Sequence, residues 1–230
     1  IPTPYHVGVV HWDKERSVSA YPNQRDFVEV LIPIIRQEVI ALRDAGVRYI
    51  QFDDTTIGRI SDAIRKEGVE AIENPAGELA YAVDSLNRVT DGIDDIHLSL
   101  HLCGKRNLTL TGDESGYDTL LPGIADLKFD MLMFELSEAT DRDLAMLEAL
   151  PQHMEIGVGC VHSKKEGIDT PEQIAQRVRR VLEVVDPHRI AMHPDCGFSP
   201  GAYWDIPLDE AYHKLHNEVL AADMLRSEYK

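Results

Sequence analysis

Short apolar runs alternate along the 230-residue chain with longer segments in which apolar residues recur every three or four positions. The short runs are rich in β-branched and aromatic residues and end in turn residues, as strands do. Their nearly continuous apolar character is typical of strands that are buried on both faces of a parallel sheet. They predict six strands, which are His6–Val10, Tyr49–Phe52, His97–Leu102, Met131–Phe134, Glu155–Val158 and Ile190–Met192.

The longer segments have the spacing of amphipathic helices. Two of them also carry boundary signals: Thr170-Pro171 provides a cap and a proline in the first turn, and Gly46 ends the first long helix. The predicted helices are Asp26–Ala45, Leu79–Arg88, Asp141–Leu150, Pro171–Val185 and Leu208–Tyr229.

Alternating strands and helices predict an α/β architecture, either a doubly wound sheet or a barrel. The chain contains neither the glycine fingerprint of a dinucleotide-binding fold nor a Walker-type loop. Polar residues instead follow most of the predicted strands, as on the active face of a (β/α)8 TIM barrel. We therefore predict one barrel domain over residues 1–230, whose six strands are the last six of eight, the first two being absent from this sequence. The polar residues are Asp53, Asp54, His101, Cys103, Glu135, His162 and Cys196.

Composition and charge narrow the functional classes. Hydrophobic residues make up 43% of the chain and charged residues 27%, as in ordinary globular proteins. The formal net charge of −17 argues against nucleic acid as a partner, because nucleic acid binds to positive surfaces. No apolar stretch approaches the roughly 20 residues of a membrane helix, and no signal-peptide pattern opens the chain. We therefore expect a cytoplasmic protein without a membrane partner.

Soft metal ligands lie at the ends of two predicted strands. His101 and Cys103 are two positions apart, so they share one face of a strand, and Cys196 follows another strand before a glycine. Three such ligands with an exchangeable fourth position are typical of a catalytic zinc site. The alternative for His101 is a core histidine beside a buried thiol. The odd total of three cysteines does not form a disulfide framework, and Cys160 is expected to pack in the barrel wall.

Carboxylates add to this pattern. Glu135 interrupts an apolar strand, where an unpaired carboxylate would be costly, so it is either a displaceable fourth zinc ligand or half of a salt bridge with an arginine. Asp53 and Asp54 end another strand, where they could bind a cationic group of a substrate or cap the helix that follows. His162 is either a general acid near the metal or a loop histidine.

Five motifs in a fixed order resemble the catalytic domain of cobalamin-independent methionine synthases. They are Ile-Gln-Phe-Asp53-Asp54, Leu-His101-Leu-Cys103-Gly-Lys-Arg-Asn, Phe-Glu135-Leu-Ser, Glu-Ile-Gly-Val-Gly and His-Pro-Asp-Cys196-Gly-Phe. The segment Glu114-Ser-Gly-Tyr117-Asp is more similar to short single-barrel members that lack the N-terminal folate-binding half.

The resemblance implies a set of residue roles. His101, Cys103, Glu135 and Cys196 would bind zinc, and Asp53 would hold the amino group of homocysteine. His162 is similar to the histidine proposed as proton donor to the methyl donor.

The first hypothesis for function is therefore a zinc-dependent methyltransferase that activates homocysteine or a similar thiol. The methyl donor is open, with a methylated corrinoid protein as one candidate, and a homo-oligomer is left open too. The alternative is an alkyltransferase that adds an epoxide or another electrophile to coenzyme M. A third hypothesis is a zinc-stabilised scaffold without catalysis. Asp53 would be poorly placed opposite a sulfonate, and no arginine pair lies at the strand ends, which favours an amino-acid thiol.

Overall fold

A computed structural model describes residues 1–58, 60, 72, 74–103, 117–163, 167–198 and 206–230. The fold is α/β, with one five-stranded sheet in the order β1-β2-β3-β4-β5. Its strands are β1 (Tyr49–Asp54), β2 (His97–Leu102), β3 (Met131–Glu135), β4 (Glu155–Val161) and β5 (Ile190–Pro194). The α-helices are α1 (Pro4–His11), α2 (Gln24–Asp44), α3 (Pro75–Thr90), α4 (Leu121–Ile124), α5 (Asp141–Ala149), α6 (Pro171–Leu182) and α7 (Leu208–Glu228), with 3-10 turns at Asp118–Leu120 and Pro187–Arg189.

Five of the six predicted strands are confirmed, and the predicted strand at His6–Val10 is wrong because those residues lie in α1. The side chain of Thr3 accepts the backbone N–H of His6 at 2.9 Å, and Pro4 occupies the first turn. A capping threonine followed by proline starts a helix even when the residues after it are β-branched. The extended backbone runs through Thr3, and Pro2 forms a parallel bridge with Asp53.

Contacts divide the chain into two compact units, Ile1–Met131 and Leu132–Lys230. In the first unit, β1 and β2 pair in parallel, and α1, α2 and α3 pack against one another. Helix α2 buries a stripe at helical spacing, and α3 buries a similar one. The buried residues of these two stripes are Val28, Ile32, Ile35, Val39, Leu79, Ala82, Val83, Leu86 and Val89.

In the second unit, β4 pairs in parallel with β5, and α6 packs against α7. Gly159 in β4 is required by a close approach, because a Cβ there would lie 2.5 Å from the Phe134 carbonyl oxygen and 3.0 Å from Cα of Asp195. The absence of that side chain lets the segment after β5 approach the end of β3. The structure thus confirms the α/β class, and closure into a barrel and the single-domain organisation stay predictions.

The structure offers no candidate for a membrane-crossing helix among the residues it describes, since each helix is too short or too polar.

Glu218 of α7 is a buried carboxylate in the second unit. Glu218 is 8% exposed, and its Oε2 has no hydrogen-bond partner within the part of the chain described. It borders a cavity of about 810 Å³ that is lined by β5, α6 and α7. Burial raises the pKa of Glu218 to about 7.

We expect Glu218→Gln to stabilise the protein above pH 7 and to have little effect near pH 4. The folded-state pKa is raised, so the unfolded chain ionises first as pH rises, and wild-type stability falls between the two pKa values. Thermal unfolding across pH 4–8 should show the variant's advantage growing through that window to a few degrees. The exposed Glu183→Gln is the control, and a pH-independent difference would contradict the assignment.

Candidate metal and catalytic site

His101 and Cys103 lie at the carboxyl end of β2, and both are buried. The backbone N–H of Cys103 donates to the carbonyl oxygen of Asp54 at 3.0 Å, which continues the β1–β2 pairing past the end of the strand. The two side chains are two positions apart and therefore share a face of the sheet, as expected from the sequence.

Asp53 lies opposite His101 in the parallel register of β1 and β2. Its Oδ1 is 2.9 Å from Nδ1 of His101 and 3.1 Å from Nε2 of Gln51. Burial alone raises the pKa of the Asp53 carboxyl, but the hydrogen bonds from His101 and Gln51 outweigh it and hold that pKa below its usual value. A histidine whose Nδ1 is held by a carboxylate presents Nε2 to a metal, and this pairing is common in zinc sites.

Asp54 has a different environment from Asp53, because its carboxylate is fully buried and engaged within the chain. Oδ1 accepts the backbone N–H groups of Thr56 and Ile57 at 2.6 and 2.8 Å and the Thr56 hydroxyl at 2.7 Å. Oδ2 accepts the hydroxyl of Thr3. Asp54 therefore ties the residues before α1 to the turn after β1.

We expect Asp54→Ala to lower the free energy of unfolding by about 3 kcal/mol, because it leaves several buried donors unsatisfied. Asp54→Asn keeps an acceptor oxygen and should cost less. Urea denaturation followed by circular dichroism measures both, with the exposed Asp94→Ala as control. A loss no larger than that of Asp94→Ala would show that the Asp54 network adds nothing to stability.

Glu135 ends β3 and is 2% exposed. It lies in the second unit, as does Cys196, whose side chain, two residues beyond β5, is partly exposed.

None of the three cysteines forms a disulfide. Cys160 is fully buried within β4, in keeping with its expected packing role. Burial raises the pKa of the Cys160 thiol well above its usual value, and the carboxylates of Glu218 and Asp195 add to this. Such a thiol is inert at neutral pH.

His162 follows β4 and is held by two residues that sequence reasoning did not single out. Its Nδ1 is 2.9 Å from the hydroxyl oxygen of Ser137, and the Ser137 hydroxyl donates to the carboxylate of Asp195. Ser137 and Asp195 lie within the Phe-Glu135-Leu-Ser and His-Pro-Asp-Cys196 motifs, which was the available signal. The residues 104–116, which include the rest of the motif after Cys103 and most of the Glu114 segment, lie outside the described residues.

Comparison with known families gives a match to the cobalamin-independent synthase catalytic domain over residues 6–224. The chain belongs to this family. Because the match covers nearly the whole chain, the family resemblance expected from the sequence is confirmed.

Curated relatives of this family member are methionine synthases. The protein from Thermococcus kodakarensis is 28% identical over 210 residues, which are 90% of this chain and 52% of that protein. The protein from Sulfolobus acidocaldarius is 29% identical over 210 residues, which are 91% of this chain and 52% of that protein. The chain thus spans about half the length of the curated relatives it matches.

Solved structures share the fold of this family member. A B12-independent methionine synthase from Shewanella sp. W3-18-1, in complex with selenomethionine, aligns with a TM-score of 0.77 at 20% identity, over 99% of this chain and 61% of that one. A methyltransferase from Methanosarcina mazei aligns with a TM-score of 0.55 at 16% identity, over 94% of this chain and 56% of that one.

Proposed function

We propose that this chain is the zinc-binding catalytic part of a methyltransferase that transfers a methyl group to the thiol of homocysteine. The observation that carries this proposal is the buried pair of soft ligands, His101 and Cys103, at the end of β2, with the carboxylate of Asp53 on Nδ1 of His101. Membership of the family and the names of the curated relatives support the methyl transfer and its acceptor. The Shewanella neighbour is described with selenomethionine, a close analogue of the product.

The donor atoms fit zinc. One imidazole nitrogen, one thiolate and one carboxylate match the ligands of catalytic zinc sites, and we propose Cys196 as the further thiolate. Zinc would lower the pKa of the incoming thiol, so that a thiolate is present at neutral pH to attack the methyl carbon. Glu135 is the ligand that we expect to yield its place, because a carboxylate binds zinc less strongly than a thiolate does.

The remaining residues would position the substrates and move a proton. Asp53, which is half exposed, would orient His101 through Nδ1 and face the amino group of homocysteine with its other oxygen. The sequence also assigned substrate binding to Asp54, but four donors already occupy its carboxylate, so we propose that it shapes the turn. His162 would protonate the group that leaves the methyl carbon. The methyl donor and any corrinoid partner or homo-oligomer stay predictions, as does a cytoplasmic location.

We also propose that the five strands belong to a (β/α)8 barrel. The sequential order of the strands is the order found in such barrels.

Thiol binding tests the proposed function. Zinc-loaded protein titrated with homocysteine in buffers of different ionisation enthalpy should release about one proton per thiol bound at pH 7, because the thiol binds as a thiolate. The same titration with coenzyme M tests the alternative alkyltransferase. Stronger binding of coenzyme M would contradict the proposed acceptor, and binding of neither thiol would favour a scaffold.

We expect Cys196→Ser to lose both zinc retention after dialysis and methyl transfer, because it removes a proposed thiolate ligand. Zinc content is measured by atomic absorption. Cys160→Ala removes a buried thiol that is not a ligand and is the matched control, so it should keep its zinc. Equal zinc retention by the two variants would exclude Cys196 from the site.

We expect Asp53→Ala to weaken zinc binding by about 10–100-fold, because His101 loses the carboxylate that orients its ring. Competition with a chromophoric chelator measures the affinity. The exposed Asp95→Ala is the control. An affinity within about twofold of wild type would show that the hydrogen bond to Asp53 does not support the metal.

A further inference from the structure

We propose that Ser137 is a positioning residue that holds His162 in the Nδ1–H tautomer, with Asp195 behind it as a fixed acceptor. Nε2 is then the ring nitrogen that exchanges a proton with substrate. This inference rests on the proposed function only for the use of that proton; the tautomer itself is a property of the chain.

The direction of the hydrogen bonds follows from a count of protons. A serine hydroxyl has one proton, and that of Ser137 is donated to Oδ2 of Asp195. The hydroxyl oxygen of Ser137 lies 2.9 Å from Nδ1 of His162 and can therefore only accept a hydrogen bond from it. Nδ1 must then carry the hydrogen and donate it, because the hydrogen bonds of a histidine ring set which tautomer is present.

Asp195 is held in place as an acceptor. It is fully buried, and its Oδ1 accepts the backbone N–H of Ser137 at 3.0 Å. Its own backbone N–H donates to the carbonyl oxygen of Val161 at 2.9 Å. An acceptor that receives both the N–H and the O–H of one serine fixes the rotamer of that serine.

The backbone of His162 is also fixed, and Nε2 of its ring lies near a carboxylate. Nζ of Lys214 donates to the His162 carbonyl oxygen at 2.9 Å, and Lys214 is itself buried and paired with Glu210 at 3.0 Å. Nε2 lies 3.8 Å from a carboxylate oxygen of Glu138, whose side chain is half exposed. The carboxylate of Asp195 thus stabilises a positive charge on the protonated ring from the Nδ1 side. The protonated ring then donates its proton from Nε2 and returns to the neutral Nδ1–H tautomer.

The tautomer is measurable without substrate. We expect the ¹⁵N–¹H long-range spectrum of histidine-labelled protein to give the Nδ1–H pattern for His162 at a pH where its ring is neutral. The signals of His162 are assigned by their loss in His162→Gln. Free neutral imidazole side chains favour Nε2–H, so this pattern is diagnostic. Ser137→Ala should shift His162 toward Nε2–H, and Ser137→Thr, which keeps the hydroxyl, should not.

Ser163→Ala is the matched control, since it removes a buried hydroxyl beside His162 that has no hydrogen-bond partner within the described ranges. It should leave the tautomer unchanged. In a methyl-transfer assay, Ser137→Ala should lower kcat about tenfold with KM for the thiol and zinc content unchanged, as for a weakened general acid.

An Nε2–H pattern in the wild type, or an Nδ1–H pattern that survives in Ser137→Ala, would overturn the inference. If the tautomer depends on Ser137 but no variant transfers methyl groups, the positioning role stands and the proposed function fails.

Discussion

The parallel register of β1 and β2 is the constraint on which the candidate site depends. It places Asp53 opposite His101, and the hydrogen bond between their side chains joins the two strand ends. The same pairing continues through the bond between Cys103 and Asp54. A shift of one residue would turn His101 to the other face of the sheet, because side chains alternate along a strand. The position of the soft ligands is therefore set by the backbone of the sheet rather than by the metal.

The two adjacent acids show how one strand end can serve both chemistry and stability. Asp54 points its carboxylate at hydroxyl and backbone donors and is fully buried, whereas Asp53 remains half exposed beside His101. A similar division occurs after β5. There, Asp195 is buried against Ser137, and the next residue, Cys196, is partly exposed. At both places a buried acid holds the backbone beside a more exposed neighbour.

Much of the architecture could be predicted from the sequence, because buried parallel strands leave short apolar runs and amphipathic helices leave a spaced stripe. The error at His6–Val10 arose where composition and capping disagreed, since the apolar run predicts a strand and Thr3-Pro4 starts a helix. The placement of His101 and Cys103 at one strand end was also predictable, from the spacing of the pair. The roles of Ser137 and Asp195 were not: two of the motifs contain these residues, but a hydrogen bond between residues 58 positions apart leaves no local pattern.

We propose that this site activates a thiol rather than water. X-ray absorption at the zinc edge, with and without homocysteine, distinguishes the two. We expect zinc with two sulfur neighbours at about 2.3 Å and two lighter ligands in the resting protein. Homocysteine should add a third sulfur and remove one light ligand. A zinc shell that does not change with homocysteine, or a purified protein that binds no zinc, would exclude thiol activation at this site.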